Sequence, residues 1–126
     1  TSALEQTGDP ALALKSYRAI VDQWPADALA RFSLANALIG AADPGAAEAH
    51  YREAIALNPE FAEAWNNLAY ALHDNGCREE ALNAARCAAM LAPDDAAITG
   101  TLEELGGLAS KRPASSCAPL TCPAGN

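Results

Sequence analysis

Cationic side chains are scarce in this chain: 8 Lys and Arg stand against 16 Asp and Glu, a formal net charge of −8. Nucleic acids and anionic membrane surfaces need clustered Lys and Arg, so neither fits as a partner. Long apolar runs are absent as well; none reaches the roughly 20 residues of a bilayer span, and the given residues carry no signal-peptide pattern. Thr1 in place of Met leads us to expect a processed or cut start. Aromatics make up only 6% of 126 residues although hydrophobics reach 51%. Alanine supplies the difference, which favours helix over sheet and predicts close helix approach.

Recognisable catalytic and metal patterns are missing too. There is no GxSxG, no phosphate-cradling glycine loop and no HExxH. No CxxC accompanies the four cysteines, which argues against zinc. His50 and His73 fall on different predicted helices, and His50 reads as a solvated surface residue. Glu79-Glu80 and Glu103-Glu104 fall at helix starts or exposed faces, where acids favourably meet the helix dipole. No enzyme activity, cofactor or metal is expected.

What is present is a repeat. Pro25, Pro59 and Pro93 stand 34 residues apart, as do Ala13, Ala47 and Ala81, and Leu4, Leu38 and Leu72. Residues 28–61 and 62–95 share 11 identical positions of 34. Each unit reads as two helices. Trp65, Leu68, Ala69 and Leu72 mark one face of a first helix, and Asn75-Gly76 breaks it. Ala81, Ala85, Ala88 and Leu91 form the seam of a second helix, which Pro93 ends. Asp43-Pro44 and Asp9-Pro10 read as helix starts, with Asp as N-cap and Pro at the first helical position. Asp94-Asp95 caps a further helix with Ile98, Leu102, Leu105 and Leu108 on its apolar face.

These residues resemble the tetratricopeptide repeat family, best in the third unit through Trp65, Leu68, Ala69, Leu72, Gly76, Ala81, Ala88 and Pro93. The second unit departs from the pattern with Arg31 at the Trp position and Ala42 where Gly is usual. The resemblance spans about residues 1–95. It implies an all-α solenoid of helical hairpins in a right-handed superhelix. The layout is about 2.5 repeats: a partial unit 1–27, full units 28–61 and 62–95, and a capping helix 96–108. A repeat domain thus covers 1–109, and a Pro-, Ser- and Cys-containing, non-helical tail covers 110–126.

By the same resemblance the first helices line a concave face. The candidate peptide-binding residues are Phe32, Asn36, Asn66, Asn67, Tyr70 and His73, within a groove that also takes in Leu29, Ser33, Ile39, Glu63, Asp74, Ala97, Thr101 and Glu104. Asn36 and Asn67 stand where family members often use Asn on a peptide backbone, and a carboxamide offers both donor and acceptor. The basic clamp that binds acidic chaperone tails is missing, because Phe32, Ala97 and Thr101 occupy its positions. A basic or neutral, partly apolar protein or peptide partner is expected.

The first helix of unit one is incomplete. Either a longer protein is cut there, or a neighbouring copy covers the exposed face. Three functions follow: a non-catalytic interaction scaffold, a head-to-tail filament subunit, or a regulatory fragment of a larger enzyme. Pro113, Pro119 and Pro123 preclude regular helix in the tail, so order there requires the body, a disulfide or a neighbour. Cys77 and Cys87 read as plain thiols. Cys117 and Cys122 are expected to close a local disulfide, which favours an extracellular or periplasmic setting.

Overall fold

The computed structural model describes residues 10–108, Cys117 and residues 120–123. Six helices follow one another among the described residues: α1 (Pro10–Gln23), α2 (Ala28–Gly40), α3 (Pro44–Leu57), α4 (Ala62–Asp74), α5 (Arg78–Leu91) and α6 (Ala96–Leu108). No strand interrupts them among the described residues. Each helix packs on its sequence neighbour. In addition α2 touches α4, and α4 touches α6, whereas α3 and α5 make no such approach. The first helix of each unit therefore lies on the inner side of the curve and the second on the outer side.

Local chemistry explains the helix ends. Asp43 Oδ1 accepts from the Ala46 amide at 3.2 Å and Pro44 opens α3. Asp27 Oδ1 caps α2 through Leu29 and Ala30, and Asp95 Oδ1 caps α6 through Ala97 and Ile98. The Asp9 cap lies outside the described residues. Helices α2 and α4 end in the same turn: the Asp43 and Cys77 amides donate to Leu38 and Leu72 carbonyls at 2.9 and 2.8 Å. That turn needs a left-handed residue, supplied by Gly76 at φ 85° and by Ala42 at φ 61°.

The core is thin and continuous. Ala35, Ala47, Ala54, Ala69, Ala81 and Ala88 are fully buried, so helix backbones approach closely around Leu34, Leu38, Leu68 and Leu72. Tyr51 and Trp65 are the bulky fillers of this seam.

The cysteines correct two expectations. Cys117 and Cys122 do not pair with each other: Cys77 bonds to Cys117 and Cys87 to Cys122. Cys77 and Cys87 are accordingly buried disulfide partners and not plain thiols. Cys77 and Cys87 stand ten residues apart on α5 and its N-cap, about 15 Å of helical rise. Cys117 and Cys122 each reach one of the two sulfurs, and Leu120 packs against the core. Closing a 40-residue loop stabilises by about 4 kcal/mol in the chain-entropy picture. The second bond then closes a path of only roughly 15 residues through the first and adds about 3 kcal/mol.

Candidate functional site

Helices α2 and α4 present one row of polar side chains on the inner side. Asn36 and Asn67 are 31 residues apart and meet directly, Asn67 Nδ2 donating to Asn36 Oδ1 at 3.0 Å. The buried Tyr51 hydroxyl, reaching in from α3, donates to the same Asn36 oxygen. Asn67 Oδ1 accepts a long contact of 3.5 Å from Asn66 Nδ2. The Asn36 Nδ2 group has no partner among the described residues. The pair therefore keeps one free amide donor and one weakly engaged carbonyl acceptor. Burial pushes the Tyr51 phenol up to about 12, while the Asn67 amide pulls the other way.

Around this pair lies a groove of about 260 Å³ lined by Asn36, Ile39, Tyr51, Asn67, Tyr70 and Asp74. Tyr70 continues the row toward α6. Its hydroxyl lies 3.2 Å from Thr101 Oγ1 and donates to Glu104 Oε1 at 3.0 Å. Asp74 lines the groove and Glu104 is bonded to its Tyr70, so both bring negative charge to it.

The structure gathers three of the six expected peptide-binding residues, Asn36, Asn67 and Tyr70, into this groove. Phe32 is turned into packing, its ring 4.8 Å from Phe61 and 6.0 Å from Tyr51. Asn66 is half-buried with a buried Oδ1 that has no hydrogen-bond partner among the described residues. His73 is half-buried and does not line the groove. Tyr51 escaped the expectation because its position reads as helix seam. It is both seam and groove floor.

His50 also differs from its expected solvated state. Arg31 Nη1 lies 3.2 Å from His50 Nδ1, and the ring is half-buried. Arginine can only donate, so Nδ1 accepts and the ring proton resides on Nε2. Burial, then Arg31, then Arg18 hold the imidazole below its ordinary range, and Glu53 opposes them.

Among the described residues no group of three His, Cys, Asp or Glu could hold a metal, and no helix is long and apolar enough to cross a membrane.

Comparison with known proteins places this architecture. Three family profiles match, the last two overlapping: a tetratricopeptide repeat at residues 2–41, a TPR repeat at 45–76 and a tetratricopeptide repeat at 62–95. No curated protein matches the chain. Among solved structures, the first TPR of Spaghetti (RPAP3) bound to the HSP90 peptide SRMEEVD superposes with a TM-score of 0.79 at 23% identity, covering 86% of this chain and 87% of that one. The second TPR domain of human RPAP3, in complex with the HSP70 peptide SGPTIEEVD, gives 0.77 at 20% identity over 83% and 88%. MamA gives 0.75 at 22% identity over 82% and 60%. With tetratricopeptide repeat profiles matched over residues 2–41, 45–76 and 62–95 and the helical-hairpin solenoid they encode, the chain belongs to the tetratricopeptide repeat family.

Proposed function

We propose that this chain is a non-catalytic protein-interaction scaffold whose concave groove holds an extended segment of a partner protein. The Asn36–Asn67 pair carries the reading. Two carboxamides from successive repeats leave a donor and an acceptor side by side, suited to a peptide backbone. Ile39 and Tyr70 offer apolar surface beside them, and Asp74 offers negative charge.

The groove chemistry differs from that needed for the acidic peptides bound by the two RPAP3 domains. Phe32 is packed inward, Ala97 carries no charge, and Thr101 is buried with its hydroxyl on the Ala97 carbonyl at 3.0 Å. A basic or neutral, partly apolar segment complements Asp74 and Glu104, whereas an acidic one meets like charge. Cys117 and Cys122 are held by disulfides to Cys77 and Cys87, which needs no neighbouring copy. That removes one motive for a filament. The same two bonds favour an oxidising setting such as the periplasm or the extracellular space.

A display selection of random heptapeptides tests the reading. Selected peptides should carry Lys or Arg more often than Asp or Glu. Asn36→Ala/Asn67→Ala should weaken their binding about tenfold or more, as loss of a paired backbone contact implies. Enrichment of acidic C-terminal peptides, or binding indifferent to both Asn residues, would refute it.

A further inference from the structure

A second depression, separate from the concave groove, opens between α1, α2 and α3. It has a volume of about 340 Å³, with Arg18 and Asp22 from α1, Arg31 from α2 and His50 from α3 around the apolar Val21 and Leu34. In a chain with only 8 Lys and Arg and two His, three such groups converge on one cleft. Neither arginine has a carboxylate within ion-pair distance among the described residues, whereas Arg52 is paired with Glu48 at 2.8 Å.

Arg31 is held in place. Its Nε donates to the Pro25 carbonyl at 3.0 Å and its Nη1 to His50 Nδ1 at 3.2 Å, which leaves Nη2 uncommitted among the described residues. Arg18 has no hydrogen-bond partner among the described residues. Gathering two guanidinium groups around one imidazole is unfavourable unless an anion offsets the charge. Both arginines act on the His50 ring, holding it below its ordinary range beside burial. At the ring the two guanidinium groups outweigh the opposing Glu53 carboxylate.

We propose that this cleft binds a phosphate group, with Arg18 and Arg31 as its principal donors and His50 at its rim. Guanidinium groups match phosphate oxygens in geometry and charge. Asp22 supplies the selectivity. A carboxylate can only accept hydrogen bonds. Hydrogenphosphate and phosphate monoesters retain or regain a P–OH that donates to it, while sulfate has none near neutral pH. The cleft therefore takes a protonatable oxyanion in preference to sulfate. The site does not depend on the concave-groove reading.

The test uses the full chain with its disulfides intact, following the His50 ring signals by NMR. Inorganic phosphate, sulfate and O-phosphoserine are added at matched ionic strength. The charged groups facing His50 are Arg18 and Asp22 from α1, Arg31 from α2 and Glu53 on α3, and a bound anion adds negative charge to that set. Phosphate should produce a saturable shift and raise the His50 midpoint, while sulfate should bind at least tenfold more weakly. Arg18→Gln, at an exposed position, should keep the fold and lose the response. Asp22→Asn, whose amide donates, should erase the preference for phosphate over sulfate. Tighter binding of O-phosphoserine assigns the site to phosphorylated side chains, and tighter binding of inorganic phosphate to the free ion. A shift that never saturates, that is equal for phosphate and sulfate, or that survives in Arg18→Gln overturns the proposal.

Discussion

Arg31 takes in the second repeat the place that Trp65 takes in the third. Trp65 Nε1 donates to the Pro59 carbonyl at 2.8 Å, and Arg31 Nε donates to the Pro25 carbonyl at 3.0 Å, 34 residues earlier. One N–H in each side chain ties the start of the first helix to the proline that ends the preceding unit. The guanidinium then reaches further than an indole would, to His50 on α3.

Arg31→Ala removes both contacts. It should cost roughly 1–3 kcal/mol, since a charged donor is lost. Removing one cation should also let the His50 midpoint rise toward its ordinary value. Arg31→Trp should recover stability through the Pro25 bond while leaving His50 equally relieved. Chemical denaturation and a histidine NMR titration measure the two effects separately.

The His50 imidazole also sets a sign for acid stability. Its folded-state midpoint lies below the unfolded one, so folding favours the neutral ring. Its stabilisation is complete above the unfolded midpoint and is lost as the pH falls through the folded value. Unfolding curves of the wild type and His50→Gln should converge as the pH is lowered from neutrality through that window.

Tyr51 gives the opposite pH limb. Its phenol is raised to about 12, so the neutral form is favoured in the folded state. Stability present below about pH 10 should decline as the pH climbs toward 12. Tyr51→Phe should lose the bond to Asn36, costing about 1 kcal/mol near neutrality, and should flatten the alkaline decline. Thermal unfolding from pH 8 to pH 11 reads both.

The two equivalent turns provide a matched pair of substitutions. Ala42 holds a left-handed conformation at φ 61° that an L side chain tolerates poorly. Ala42→Gly should stabilise by about 1 kcal/mol. Gly76→Ala should destabilise by a similar amount, for backbone reasons alone, because no atom lies within 4 Å of the added Cβ. Urea midpoints of the two variants should move in opposite directions.

The helices and their order were legible in the sequence because the 34-residue phase of Pro, Ala and Leu fixes both spacing and facing. Leu34, Leu38, Leu68 and Leu72 are buried where the periodicity puts them. The groove was half legible. Asn36, Asn67 and Tyr70 sit on the inward row of α2 and α4, but the Phe32 ring packs against the Phe61 and Tyr51 rings. The disulfides were misread because nearness in sequence suggested a local bond. The signal that could have found them is reach: Cys77 and Cys87 are ten helical residues apart, about 15 Å, a span that the five-residue step from Cys117 to Cys122 can bridge at about 3.3 Å per residue. His50 was misread because its partner, Arg31, breaks the family pattern, and no repeat arithmetic predicts what a departure will touch.

The central claim, that the inner face of α2 and α4 is where this scaffold meets its partner, is tested most directly by backbone-amide NMR with a display-selected heptapeptide. Side-chain amide signals of Asn36 and Asn67 and backbone signals of Ile39, Tyr70 and Asp74 should move together and saturate at one peptide per chain. Shifts centred instead on the exposed Trp24 and Leu29, with Asn36 and Asn67 unmoved, would contradict the account.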